Sequence, residues 1–349
     1  EKSFTGEGSG VTVKRVDKNG TPVTAKYTPT VTPVTPTATP AESTGPQGLV
    51  QTGTVTFTEG DEVAPINKDS ITLLDENGQQ AASVEAKSPA GDVIGTYTVD
   101  KDTGVVTFTP TDKSYTGVVT PAKVQAESSN GIKVDTTYTP EIVPVTPTAT
   151  PAETTDIQGA TQTGKPEFKG GTVTVDGVEK TVAINEAVPA TFDDGSTTKT
   201  VEGVGTYTVA ADGTVTFVPE KSFVGTAPAV TVVREDKNGT KASATYTPTV
   251  TPVTPTAEDT TSNDKQGQTQ TGTPTFTPGN PNVPMDDDTP ATFEDGSTTK
   301  NIPGEGTYTV APDGTVTFVP EKSFTGTGTG VTVKRVDKNG TPVTATYTP

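Results

Sequence analysis

The stretch from Gly306 to Gly326 constrains this chain more than any other. Tyr308 and Val310 alternate with Thr307 and Thr309, Asp313-Gly314 reverses the chain, and Val316 and Phe318 alternate with Thr315 and Thr317. Period-two alternation on both sides of an Asp-Gly pair is a hairpin signal, because successive side chains of a strand point to opposite faces. The stretch returns at Gly205–Gly225, with Asp212-Gly213 at its turn, and in altered form at Gly95–Gly117. Its last turn opens the chain at Glu1. A chain that repeats a hairpin is an array of like β units, and repetition must serve its function.

Repeat phase sets the domain count. Tyr27, Tyr138, Tyr246 and Tyr347 each stand in a Tyr-Thr-Pro, and Gln-Thr-Gly recurs at Gln51, Gln162 and Gln270. The phase predicts three full modules of ordinary domain size, at 41–151, 152–257 and 258–349. Residues 1–40 form the C-terminal part of a preceding repeat with its connector. Glu1–Pro29 matches Glu321–Pro349 at 26 of 29 positions, which reads as an excerpt from a longer array.

A second hairpin closes every repeat, with Asn19-Gly20, Asn130-Gly131, Asn238-Gly239 and Asn339-Gly340 at its tip. Asn-Gly suits a type I′ turn, which needs positive φ at both central residues. After it come the Pro-rich stretches Tyr27–Pro40, Tyr138–Pro151 and Tyr246–Ala257, none containing glycine. Proline lacks a ladder donor, so these read as an extended edge strand running into a semi-rigid polyproline connector. Thr and Val, both β-branched, supply about a third of the residues, and no window carries a helical stripe. About seven short strands per repeat predict an all-β fold: tandem Ig-like β-sandwich modules arranged end to end as an elongated rod. In the third module the expected core is Phe276, Phe293, Tyr308, Val310, Val316, Phe318, Phe324, Val331, Val333 and Tyr347.

Composition decides what the array does not do. Leu, Ile, Val and Phe make only about 19 % of the residues, at the border of disorder. Their strand-period placement, with a net charge of −18 spread over 349 residues, argues for thin folded cores. The absence of His and Cys removes the commonest general base, transition-metal ligand and thiolate chemistry, and rules out disulfides. The acidic balance speaks against nucleic acid and anionic lipid as partners. No enzyme activity and no cofactor are expected.

The hairpin at 306–324, the Val333–Gly340 turn and the Tyr27–Glu42 connector resemble the fibril repeats of CshA-type surface adhesins. These are cell-wall-anchored proteins of streptococci and related Gram-positive bacteria. The likeness covers nearly the whole chain and is weakest over Glu59–Ala90 and Thr260–Pro290. It implies a bacterial cell-surface location and a structural role: repeats build a fibril that projects a distal adhesive domain. The partners it implies are neighbouring repeats of the same chain, with a host extracellular-matrix protein or other bacterial surface proteins engaged through other regions. No membrane contact by this segment and a monomeric state are expected. The alternative is that the repeats themselves act as an adhesive module for a host matrix protein or another cell.

Lys2, Lys113, Lys221 and Lys322 recur at one place in each repeat. They are candidates for intramolecular isopeptide bonds, which some Gram-positive shaft domains use. The competing reading is a solvated turn lysine whose stem covers an aromatic neighbour, and no repeated Asn acceptor outside the Asn-Gly turn presents itself. Asp286–Asp288 and Asp193-Asp194 offer calcium-type oxygens but lack loop-type spacing, so they read as solvated acidic turns.

Overall fold

The computed structural model describes residues 1–2 and 4–349. It is all-β, and no helix among the described residues is long and apolar enough to cross a membrane. The chain divides into two compact units. One comprises 1–148, 169–185 and 235–241; the other comprises 149–168, 186–234 and 242–349.

The third repeat, in the second unit, shows the sandwich most simply. One four-stranded sheet orders Thr260–Thr261, Pro342–Thr348, Val331–Val336 and Thr292–Phe293. The other orders Gln270–Gly272, Val316–Pro320, Gly306–Val310 and Thr299–Ile302. With the pair Thr256–Glu258 and Thr275–Thr277 beside them, that makes ten described strands, against about seven read from the sequence. Thr299–Ile302 is short, polar and followed at once by Pro303, so its period-two signal is weak. Between the sheets lie Phe293, Tyr308, Val310, Val316, Phe318, Val331, Val333 and Tyr347, with Phe276 and Phe324 at the margin. Tyr308 and Phe318 face each other across the hairpin at 4.5 Å between ring centroids. The expected core set is therefore the observed one, joined by Ala291 and Ile302.

The first repeat, in the first unit, keeps this plan but widens it. Ile66–Leu74 replaces the two-residue strand of the third repeat and pairs with Ala122–Ser128. The same unit contains a hairpin that the sequence reading missed, Gly171–Val175 with Val178–Val182. Its loop is Asp176-Gly177, with φ of 52° and 76°, and this is a true type I′ turn.

The Asn-Gly turns are of another kind. Among the described residues Asp176 alone of the non-glycines has positive φ, while Gly20, Gly239 and Gly340 lie at 83–84°. In each, the preceding Asp redirects the turn: Asp337 Oδ1 accepts from Asn339 N at 3.0 Å and Thr341 N at 2.8 Å. Gly340 N closes onto Asp337 O at 2.9 Å. The side chain takes over the donors that a type I′ turn would have paired, leaving only glycine left-handed. Asp313-Gly314 likewise ends a four-residue turn from Ala311 with Gly314 at 94°.

The Pro-rich strand is also not an edge. Lys133–Val143 has Gly117–Val118 on one side and Ala41–Pro46, parallel, on the other. Pro140 is tolerated because only its carbonyl is used, accepting from Val119 N at 3.0 Å. Pro29, Pro248 and Pro349 repeat the arrangement with Gly8, Ala227 and Gly328. Thr37–Thr39 pairs with Thr56–Thr58, and Thr256–Glu258 with Thr275–Thr277, so the longest run outside strands in each connector is four or five residues.

Candidate functional site

Two polar constellations recur, one inside each sandwich and one where successive repeats meet. Inside, Tyr138, Tyr246 and Tyr347 of the Tyr-Thr-Pro stretches are fully buried, whereas Tyr27 is exposed, and burial obliges each of the three hydroxyls to find a partner. Tyr246 Oη lies 2.7 Å from Thr154 Oγ1, which donates to Gln162 Oε1 at 2.6 Å. Gln162 Nε2 then donates to Thr249 O at 3.0 Å. Tyr138–Ser43–Gln51 and Tyr347–Ser262–Gln270 reproduce the chain. This explains the recurring Gln-Thr-Gly. Its glutamine belongs to the network, and a Cβ on Gly53, Gly164 or Gly272 would overlap the ring of Tyr138, Tyr246 or Tyr347.

Burial also raises the tyrosine pKa values. It pushes Tyr207 up to about 12, with a further contribution from Tyr246. Tyr97 and Tyr308 rise as well, chiefly through burial; Tyr308 is bonded in addition to the buried Glu305.

The second constellation is built on Gln47 in the first unit and Gln158 in the second. Each is buried and uses every polar group it has. Gln158 N donates to Thr251 O at 2.8 Å and Gln158 Nε2 to Lys221 O at 2.8 Å. Its Oε1 accepts from Val253 N at 3.2 Å. Its carbonyl accepts from Asn339 Nδ2, in the Asn-Gly turn of the following repeat, at 2.8 Å. Gln47 makes the same four bonds, to Val143 O, Ser114 O, Val145 N and Asn238 Nδ2, the last at 2.7 Å. The glycine beside each glutamine is required twice over. Gly48 and Gly159 have φ of 76° and 83°, and a Cβ on either would overlap the docked Asn238 or Asn339 side chain.

The recurring lysines stand at the same place. Lys113 Nζ donates to Lys237 O at 3.4 Å and Lys221 Nζ to Lys338 O at 3.2 Å, so each reaches the backbone of the incoming turn. The carbonyl of Lys322 accepts from Gln266 Nε2 at 2.9 Å. Lys2 takes no part in such a joint among the described residues. Asn130 Nδ2 donates to Val34 O at 3.2 Å, whereas Asn19 is exposed with no side-chain partner among the described residues. Sequence reading singled out these lysines and Asn-Gly pairs separately. The glutamines it missed, because Gln47 and Gln158 sit in otherwise dissimilar contexts; the shared Gln-Gly dipeptide was the available signal.

The acidic clusters are held by cations of the chain itself. Lys338 Nζ bridges Asp286 at 2.5 Å and Asp288 at 2.7 Å, and Arg335 reaches Asp287 at 2.7 Å. The Lys338 ammonium keeps the Asp286 carboxyl down at about 2. Asp193 lies 3.6 Å from Lys199, and Asp212, bound by Lys165, is held well below the carboxylate range. Asp313 is lowered by the Thr315 amide.

Among curated proteins none matches the chain. Among solved structures it is similar to mouse cadherin-23 EC22-24 at 14 % identity, over 90 % of this chain and 98 % of that one, with a TM-score of 0.30. It is also similar to the I9-I11 tandem of titin at 10 % identity, over 90 % and 97 %, with a TM-score of 0.32. The family described as the surface adhesin CshA repetitive domain matches residues 1–31, 33–142, 144–250 and 252–349. Four successive matches spanning almost every residue make this chain a member of that family, a repeat region of a surface adhesin.

Proposed function

We propose that these repeats work mechanically, as a non-catalytic spacer in a wall-anchored bacterial surface fibril, and hold a distal adhesive domain away from the cell. The observation that carries this reading is the Gln–Asn joint. A flexible tether would leave the Asn-Gly turns solvated; instead Asn238 and Asn339 donate to Gln47 and Gln158, and glycine-free connectors of four or so residues run beside them. Reach then comes from modules in series, and stability stays local to each module and its neighbours. The repeats at 41–151, 152–257 and 258–349 are the units of length, with the last connector residues folded into the following unit. Host matrix proteins or other bacterial surface proteins would be met by regions outside these repeats.

Small-angle scattering on the full chain and on a variant lacking residues 152–257 tests the reading. A strand of eight to ten residues spans roughly 30 Å, so the deletion should shorten the largest dimension by about that much. Equal dimensions for the two proteins, or a compact globule, would refute the spacer.

A further inference from the structure

We propose that Asn238 and Asn339 are self-modification sites: loss of ammonia from either side chain opens the joint which that side chain closes. The inference rests on the spacer reading only for its biological meaning; its chemistry stands on the joint alone.

Each asparagine precedes a glycine, whose backbone nitrogen is unhindered by a side chain. That nitrogen can attack the asparagine Cγ, giving up its proton to solvent. The Cγ–Nδ2 bond breaks, ammonia leaves, and a cyclic imide forms. Water then opens the imide at either carbonyl, giving aspartate or isoaspartate. The balance is asparagine plus water to acid plus ammonia, with no other reactant.

In the docked state both nitrogens of this reaction, the attacking one and the leaving one, are held in hydrogen bonds. Gly239 N, the nucleophile, donates to Asp236 O at 3.0 Å, and Asn238 N donates to Asp236 Oδ1 at 2.8 Å. Nδ2, the leaving nitrogen, is the atom bound to Gln47 O at 2.7 Å. Gly340, Asp337, Asn339 and Gln158 repeat these contacts in the second unit. Reaction therefore waits for the joint and the turn to open.

The product cannot redock as before. A carboxylate oxygen would replace Nδ2 opposite the carbonyl of Gln47 or Gln158, acceptor against acceptor, where a donor is required. Rotating the group brings no relief, because both terminal atoms of a carboxylate are acceptors, so either one faces the carbonyl without a proton to give. The ammonium groups of Lys113 and Lys221 lie beside the turns, but exposed pairs of this kind return little. Isoaspartate adds a methylene to the backbone and disturbs the turn itself.

Asn19 is the internal standard. Its turn is the same, with Gly20 N on Asp17 O at 3.1 Å and Asn19 N on Asp17 Oδ1 at 2.9 Å, but its side chain is undocked. Because the turn chemistry is shared, a difference in rate between Asn19 and the other two reports what holds the turn in place: the dock and the sheet packed behind the hairpin.

The test ages the full chain in mildly alkaline buffer and maps conversion at each Asn-Gly by peptide mass, while hydrogen exchange is followed at Leu49 and Ala160. Asn19 should convert faster than Asn238 and Asn339 by about tenfold, the factor that one hydrogen bond supplies. An Asn238→Asp/Asn339→Asp variant should exchange Leu49 and Ala160 about tenfold faster than the parent, with the Tyr246 and Tyr347 cores unchanged. Equal conversion at the three sites, or unchanged exchange in the Asp variant, would overturn the proposal. So would an Asn238→Gln/Asn339→Gln variant whose exchange rises on ageing as much as the parent's, since glutamine does not close that imide with the following nitrogen. None of these readouts depends on the scattering result, so the two readings fail separately.

Discussion

Gly272→Ala should destabilise the third repeat, although alanine is ordinarily the better residue in a folded chain. Gly272 is not in a left-handed conformation, so backbone strain plays no part. The whole penalty comes from a Cβ driven into the Cδ2 and Cε2 edge of Tyr347. That ring has nowhere to go. It is fully buried, its hydroxyl is fixed 2.7 Å from Ser262 Oγ, and Tyr308 stands edge-on at 6.5 Å between centroids. Overpacking of this kind costs about 1–3 kcal/mol, and displacing the hydroxyl from Ser262 costs a further ~1 kcal/mol. Against this, Gly→Ala stabilises by about 0.4–1 kcal/mol through the unfolded chain. The net loss is about 2 kcal/mol, which lowers the melting temperature of a repeat this size by roughly 10 °C. Because repeats melt semi-independently, the assay is thermal unfolding followed by hydrogen exchange within 306–320 and 331–348. Gly267→Ala is the control: φ of 79° and nothing within 4 Å leave only conformational strain, about 1–2 kcal/mol. If Gly272→Ala melts at or above the parent temperature, the ring is free to retreat and the explanation of Gln-Thr-Gly is wrong.

Gln158→Ala should loosen both sides of its joint, because Val253 N loses its acceptor within a buried connector; an orphaned donor costs about 1–3 kcal/mol, visible as faster exchange at Val253 before any change in the 306–320 hairpin. High pH should unfold the second repeat. Burial raises Tyr207 from 10 to about 12, so the stability that its neutral phenol lends is complete below pH 10 and is lost as pH climbs through 12. Tyrosinate absorbance rising together with loss of the strand signal over that window is the expected result, and titration without unfolding would contradict it. Acid should release the 286–289 turn. Lys338 depresses Asp286 from 3.8 to about 2, so its contribution is present above pH 4 and disappears as pH falls through 2. Lys338→Gln should move that loosening up towards pH 4, read from the exchange of Asp288 N.

How much of this was legible in advance depended on the range of the interaction. The hairpins and the core positions were legible because alternation is a local property: Tyr308, Val310, Val316 and Phe318 announce their shared face within eleven residues. The turn type was misread because Asn-Gly describes two residues, whereas the outcome is decided by the Asp two positions earlier, whose carboxylate captures the Asn and Thr amides. The Pro-rich strand was misplaced for a related reason. Proline's lack of a donor excludes it only where the ladder needs that donor, and beside Val119 and Gly328 it needs only the carbonyl. The joint lay furthest from view, since Gln158 and Asn339 are 181 positions apart.

The limit of local reading is clearest where one sequence occurs twice. Val11–Tyr27 and Val331–Tyr347 differ at Lys26 alone, against Thr346, and both form the same antiparallel hairpin in the same register. Yet Val11 is 63 % exposed and Tyr27 64 %, while Val331 is 3 % exposed and Tyr347 fully buried. Strand pairing is therefore encoded in these residues, and burial is not: it is conferred by Tyr308 and Phe318 from the opposing sheet and by Phe293 on the neighbouring strand. The tyrosine network follows the same logic. Tyr347 bonds to Ser262 and through it to Gln270, whereas Tyr27, without such strands beside it, takes part in no such chain of bonds among the described residues. What a repeat contributes to stability thus depends on which strands lie against its closing hairpin, and the closing hairpin is also the element whose tip makes the next contact along the array.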